Sequence, residues 1–325
     1  MTRLPHRIVA ASLLTLWLAG GGCAGDGPAA ERPASERPVN EALLGGTSPA
    51  EAPAPPSGAE PEALTLAASR QATRLQRLKM LESRGTVEFR WTEEGRKRFE
   101  QCDLDLYLML PDRSAFNLKK LGERYAWLGS SGSRWWVFRL KESPSSVEVH
   151  SWNATADTDG RDISVMSPRS ILQLAGLVPI VPESTTTVRE DAASKSVIIE
   201  TPGDAVTGAP GARWTLDSFT SLPRVVELLD SAGVVFASGS MQDYVSAPVE
   251  GMGPGDYPKV PSRITIRRAD GSGQIMLSLD SPTCRVVRMK DRYFDLDALM
   301  VEFQPDDATW REGSAAVPTP APAAP

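Results

Sequence analysis

Cys102-Asp103-Leu104-Asp105-Leu106-Tyr107-Leu108-Met109-Leu110 is the stretch on which the fold turns. Leu104, Leu106 and Leu108 fall on one side, and Asp103, Asp105 and Tyr107 on the other, which is the two-residue period of a strand. Thr86-Val87-Glu88-Phe89-Arg90-Trp91 alternates in the same way just upstream. Downstream, Arg113 to Leu121 brings Phe116 and Leu118 to one face, and Arg124 to Gly129 offers Tyr125 and Trp127. Arg134 to Leu140 sets Trp136, Phe138 and Leu140 opposite Trp135, Val137 and Arg139, and Val147 to Ser151 adds a short strand. The separators Pro111-Asp112, Gly122-Glu123, Gly129-Ser130-Ser131-Gly132 and Pro144 suit tight turns. Consecutive strands with short links predict an antiparallel meander.

The period is different upstream. From Glu62 to Leu81, the residues Leu64, Ala68, Ala72, Leu75, Leu78 and Leu81 recur at helical spacing. Arg70, Arg74, Arg77 and Lys79 lie largely off that stripe, and Gly85 is placed to stop the helix. Beyond the meander, Ser167-Pro168 reads as an N-cap followed by a proline in the first turn, with Ile171, Leu172 and Leu174 as the apolar face and Gly176 as the end. Strand patterns resume at Ser196 to Glu200, Ala212 to Ser218, Arg224 to Asp230, Val234 to Val245, Arg263 to Arg268, Gly273 to Ser281 and Arg285 to Met289. Ala247 to Pro261 reads as a long surface loop, and Phe294 to Met300 as a short helix or a last strand. The expected class is α+β, mainly β: a large curved antiparallel sheet, an open half-barrel, covered by the long N-terminal helix and the short inserted one.

The ends of the chain have a different character. Arg3 and Arg7, the apolar run Ile8 to Leu18 and the small residues Ala19 to Gly22 have the three parts of an export signal, expected over residues 1–22. The apolar run is shorter than the roughly 20 residues a spanning helix needs. Cys23 after small residues resembles the bacterial lipobox, which implies acylation of its thiol and a membrane tether; Leu18 sits two positions further upstream than that pattern has it. Ala24 after the Cys implies the outer membrane, and a soluble secreted protein is the alternative. Residues 23–60 are rich in Ala, Pro, Glu, Gly and Ser and read as an unstructured leash, as does the tail 311–325. One domain is expected between them, over 61–310.

The net charge of −6 argues against a nucleic-acid binder. Cys102 and Cys284, in an oxidising compartment, form either a disulfide or two separate thiols. His6 lies in the signal, which leaves His150 as the one histidine of the domain, and near a strand end it reads as a surface residue. No nucleophile elbow, zinc-ligand spacing or phosphate loop is present, so no enzyme, metal or cofactor is expected. Asp103 and Asp105 share a strand face and read as its solvated side. The run Asp157 to Asp162 reads as a polar turn rather than a calcium loop.

The order of elements resembles the LolA/LolB-like lipoprotein-carrier superfamily over most of Leu64 to Pro305. The resemblance rests on the helix ending in Arg84-Gly85, the strand Thr86 to Trp91 and the Leu-rich second strand with its Leu110-Pro111-Asp112-Arg113 turn. Arg124-Tyr125-Ala126-Trp127, Arg134-Trp135-Trp136-Val137 and the Ser167-Pro168 helix, in the place of a lid, complete it. It implies a binding role: acyl chains of lipoproteins or other lipid held against the apolar concave surface, with no catalytic residue. A tethered, monomeric chain is then closer to the lipidated acceptor than to the soluble shuttle. Leu104, Leu106 and Leu108, with Phe89, Trp91, Trp127, Trp136 and Phe138, are the candidate cavity lining. The same aromatics also suit an ordinary packed core, and then outer surfaces such as the Ala247 to Pro261 loop would act on a partner. Trp135, on the opposite face, would mark a contact patch if exposed.

Overall fold

A computed structural model of the protein describes residues 60–93, 95–151, 167–203, 210–230, 232–285 and 288–311. The expected signal, Cys23 and the leash up to residue 59, the 157–162 turn and the tail from 312 lie outside the described residues. Fourteen strands form one sheet that does not close. A first meander runs β1 (Met80–Glu93), β2 (Arg96–Met109), β3 (Arg113–Lys120), β4 (Glu123–Ser131), β5 (Arg134–Arg139) and β6 (Ser146–Ser151). A second runs β7 (Thr187–Asp191), β8 (Ser196–Thr201), β9 (Gly211–Asp217), β10 (Pro223–Leu229), β11 (Val235–Ser246), β12 (Lys259–Arg268) and β13 (Gly273–Thr283). The two meet where β1 pairs antiparallel with β13. Short β14 (Asp307–Arg311) adds to β6 in parallel, a departure from the antiparallel expectation. Helix α1 spans Glu60–Arg77, α2 Pro168–Leu174 and α3 Leu296–Phe303. No described helix is long and apolar enough to cross a membrane.

The expected helix from Glu62 to Leu81 is too long at its C-terminal end. Leu78 N–H donates to Leu75 O in a tight final turn, and from Met80 the backbone pairs with Met109 on β2. Leu78 and Leu81 are fully buried, but as core residues of the turn and strand that follow. Gly85 does not stop a helix; it lies mid-strand between Leu104 and Leu279. A Cβ there would stand 1.8 Å from Ser278 O, so only a bare backbone lets β13 come this close. Of the strand expected over Arg285 to Met289, residues 286 and 287 lie outside the described residues; β13 ends at Thr283, and Arg288 donates to the buried Glu82 through its backbone N–H, at 3.0 Å, and its guanidinium. β7 and β14 carry no clear alternation and were not expected as strands; they form the two free edges.

The inner face of the sheet is covered, and so is the outer face of the first meander. On the inner face α1 and α2 bury Ala67, Leu75, Ile171, Leu172 and Leu174 against Leu104, Leu106, Leu108, Phe116, Leu118, Trp214 and Ile264. On the outer face the Phe294 to Met300 segment proves helical. Asp295 caps α3 by accepting from Asp297 N–H at 3.0 Å and Ala298 N–H at 3.2 Å. Phe294, Leu296 and Leu299 then close over Tyr107, Trp127, Trp136 and Phe138. Arg124 stacks over Phe303 at 4.8 Å and binds Glu302 at 2.9 Å, which fixes that helix to β4.

On β5 and β6 a small charged group is buried. Arg139 donates to Glu148 at 2.9 Å, and His150 Nε2 lies 3.4 Å from the same carboxylate. Burial pushes the Glu148 carboxyl up, but His150 and Arg139 outweigh it and hold the carboxyl down at about 2. A carboxyl held below its unfolded value of about 4.3 stabilises the fold above that pH. The gain is lost as pH falls towards 2.

Two outcomes follow from these contacts. Gly85→Ala should cost about 2–4 kcal/mol in urea unfolding, because the clash is with backbone on a central strand. Glu148→Gln should cost about 1–2 kcal/mol at neutral pH, after allowance for solvent screening. It should also flatten the fall in stability between about pH 4 and pH 2. An unaltered acid profile would show that this pair carries no linkage.

Candidate apolar ligand site

The site begins with seven residues that would not hold a helix alone. Ser167 caps α2 by accepting the Ser170 N–H at 3.1 Å, and Pro168 starts its first turn. Ile171, Leu172 and Leu174 are buried, so packing on the sheet supplies what local propensity does not. The seat for α2 is Gly239 on β11: a Cβ there would stand 2.0 Å from Leu174 O. At its far end, Gly176 turns the chain with φ of +67°.

Arg74 of α1 ties this end down. Its guanidinium donates to Gly176 O, to Lys259 O at 3.1 Å and to Gln71 Oε1 at 3.0 Å. Gln71 in turn donates to Ser221 O. Arg74 is 8% exposed, and burial lowers its pKa to about 10. One side chain thus joins α1, the end of α2 and β12. Nothing in the helical spacing marks it; it was read as lying off the apolar stripe, and only the arrival of α2 over it makes it an interior group.

Beneath Ile171 the inner face leaves an apolar space of about 40 Å³, bounded by Val87, Phe89, Leu104, Phe116, Val137 and Leu277. Ligand pockets usually enclose about 300–1,000 Å³. In this arrangement the space holds a few water-sized groups, so occupation by an acyl chain needs α2 to rise.

Of the expected lining, Phe89 and Leu104 bound this space. Leu106 and Leu108 belong to the same inner core, and Trp91 sits half-buried two residues beyond Phe89 on β1. Trp127, Trp136 and Phe138 lie on the other face and pack under α3, with Phe138 5.0 Å and Trp127 5.8 Å from the Phe303 ring. The alternation along β5 is as expected, but its sides are exchanged. Register decides this: Leu128 pairs with Val137, both inward, so their neighbours Trp127 and Phe138 point outward. Phe116, Leu118, Leu128, Val137, Ile275 and Leu277 also line the space and were not among the expected lining.

Two residues on β5 and β6 lie elsewhere than expected, and the cysteine alternative is resolved. Trp135 is fully buried, not a surface patch, and stacks on His150 with ring centroids 3.9 Å apart and 5° between planes. His150 is accordingly a buried residue rather than a surface one, at 3% exposure. Cys102 and Cys284 are separate thiols. Cys102 stands opposite Val87 on β1, whereas Cys284 follows the Thr283–Glu82 pair five residues away, about 17 Å along the strand. A disulfide requires Cα atoms within about 7 Å. Burial pushes the two thiols up, to about 12 and about 11. Asp105 accepts from Asn117 at 3.0 Å and pairs with Lys119 at 2.5 Å, while Asp103 faces solvent.

No protein-family model matches the chain, and no curated protein matches it. Among solved structures it is similar to a DUF1329-family protein from Desulfovibrio piger, at 12% identity and a TM-score of 0.53, covering 73% of this chain and 99% of that one. It is also similar to a domain described as an outer membrane lipoprotein-sorting protein, from Vibrio parahaemolyticus, at 12% identity and a TM-score of 0.50, covering 73% and 98%. A LolA superfamily protein from Nitrosomonas europaea aligns at 13% identity over 71% of this chain and 98% of its own, with a TM-score of 0.45. The likeness is one of architecture alone: the chain shares the fold of the DUF1329-family protein and of the sorting-protein domain.

The seat of α2 is open to test. Gly239→Ala should dislodge α2 while leaving the sheet paired. The expected result is a loss of about 1–3 kcal/mol in stability and faster amide exchange confined to Ile171–Leu174. Exchange that rises equally across β9 to β12 would mean that Gly239 serves the sheet and not the helix.

Proposed function

We propose that the protein is an envelope lipoprotein, tethered through Cys23 to the outer membrane and facing the periplasm, that holds an acyl chain between its inner sheet face and α2. A role in lipoprotein or lipid trafficking follows from that activity. The supporting observation is the wholly apolar space under α2, bounded by Phe89, Leu104 and Phe116 and roofed by Ile171. The similarity to a lipoprotein-sorting domain favours the same reading.

Magnitudes make the opening feasible. Lifting α2 exposes Ile171, Leu172 and Leu174, at about 1.5–3 kcal/mol each, or about 5–9 kcal/mol together. An acyl chain recovers about 0.8 kcal/mol per methylene it buries, so roughly ten methylenes match that cost. Short chains should therefore bind poorly, and long chains well. Arg74 adds to the cost of opening, because its bond to Gly176 O must break or travel with the helix.

A second reading has one observation in its favour. A free volume of about 40 Å³ is also what a filled core leaves, and an envelope interaction protein with no small ligand would look the same at rest. Native mass spectrometry of the protein purified from a bacterial envelope separates the two. A stoichiometric acyl-bearing ligand supports the binding role; an empty protein that takes up no fluorescent fatty acid supports the filled core. Phe89→Glu sharpens the test, since Phe89 is half-buried and its replacement spares the packed interior. It should cut fatty-acid uptake at least about tenfold with an unchanged circular dichroism spectrum.

A further inference from the structure

A second cavity, of about 220 Å³, lies away from the apolar space, between α1 and the β7–β8 and β9–β10 turns. Its lining is mixed. Arg70 and Lys195 bring positive charge, Glu190 and Asp191 bring negative charge, and Leu66, Ala67 and Val197 supply an apolar wall. Ser196 and Ser221, 2% and 5% exposed, form its buried polar floor.

The charges are not consumed by the protein. Arg70 uses Nη1 on Phe219 O at 3.2 Å and Ser221 Oγ at 3.4 Å, which fixes the guanidinium at the floor. Its Nε and Nη2 make no hydrogen bond among the described residues. Lys195 and Glu190 form no ion pair among the described residues. The neighbouring Asp191, by contrast, is held in its own turn by Ala193 N–H at 3.0 Å and the Ser194 hydroxyl at 2.7 Å. Both carboxylates line the cavity, and Glu190 is the one with no hydrogen-bond or ion-pair partner among the described residues.

Two free cations and one free carboxylate in a space of this size fit a small zwitterion better than a simple anion. A phosphate diester would take the guanidinium and ammonium, and a primary ammonium two carbons away would take Glu190. The cavity mouth adds a second kind of contact. Leu66 lines it and is 50% exposed, and Phe219, whose carbonyl Arg70 holds, is 87% exposed. Large apolar side chains beside a charged cavity suit a ligand with an apolar part outside its charged head.

We propose that this cavity binds the phosphoethanolamine headgroup of a phospholipid, with the phosphate on Arg70 and Lys195, the ammonium on Glu190, and the glycerol and first acyl carbons against Leu66 and Phe219. This site has a different lining from the apolar space under α2. Phe89→Glu should leave it intact, so either site can fail alone.

The test is calorimetric titration of the full-length protein in detergent micelles with four probes: short-chain phosphatidylethanolamine, short-chain phosphatidylcholine, glycerophosphoethanolamine and inorganic phosphate. Phosphatidylethanolamine should bind about tenfold more tightly than phosphatidylcholine, which has no N–H to offer Glu190. It should also bind more tightly than glycerophosphoethanolamine, which lacks the acyl carbons. Lys195→Gln should weaken phosphatidylethanolamine and inorganic phosphate alike. Glu190→Gln should weaken phosphatidylethanolamine about tenfold and leave phosphate unchanged. Both residues are exposed, so neither change threatens folding. Equal binding of the acylated and unacylated esters would overturn the lipid assignment. Inorganic phosphate binding as tightly as the ester, or indifference to Glu190→Gln, would overturn the zwitterion assignment.

Discussion

The pairing of β1 with β13 is the contact on which the rest of the structure depends. Each meander alone is a set of local hairpins, cheap in chain entropy and complete in itself. Joining them requires residues about 190 positions apart to meet in register, with Gly85 against Leu279 and Phe89 against Ile275. The approach is close enough that Gly85 can carry no side chain. Once the seam forms, Phe89 and Leu104 from one half face Ile275 and Leu277 from the other, and the inner face becomes continuous. Without it, α1 and α2 have two partial surfaces and no common floor.

That floor explains why short α2 is stable, and the proposed opening would act on it. It has two turns, no basic residue in its last turn and no sheet pairing. Its hold consists of five buried residues, Pro168, Ser170, Ile171, Leu172 and Leu174, with the seat at Gly239 and the guanidinium of Arg74. Each strand, by comparison, is bonded along its length to neighbours. On the proposed binding role, a ligand entering the inner face would displace the element with the weakest independent claim to its position, and the apolar lining under Ile171 suits an apolar one.

Much of the architecture was legible because alternation is a local property. The Leu104–Leu106–Leu108 stripe, the turns of the first meander and the Ser167-Pro168 helix start all follow from neighbours within a few residues. The candidate site was half legible for the same reason. Alternation says that Trp136 and Phe138 share a face; it does not say which face. That depends on where helices from other parts of the chain come to rest. Because α3 covers the outer face, large aromatics were available on both sides, and size alone pointed to the wrong one. Arg74 and Gly239 were hidden more deeply still, since each acquires its role only through contact with α2, about 100 and 65 positions away.

The two covered faces have different consequences. The outer cluster is rigid by construction: ring against ring, with Asp295 capping α3 and Arg124 bridging Glu302 and Phe303. It contributes apolar burial and few routes for change. The inner face is closed by a short helix and a long one, and the long one, α1, takes part in two unlike environments. Ala67 and Leu75 pack into the apolar core, Arg74 holds α2, and Arg70, one turn earlier, reaches the polar cavity beside β7 and β8. A shift of α1 along its axis therefore reaches both cavities, because Gln71 and Arg74 share a hydrogen bond while Gln71 and Arg70 share Ser221. The physical link between the apolar space and the charged cavity is this one helical turn, and α1 is also the element that the N-terminal segment leads into.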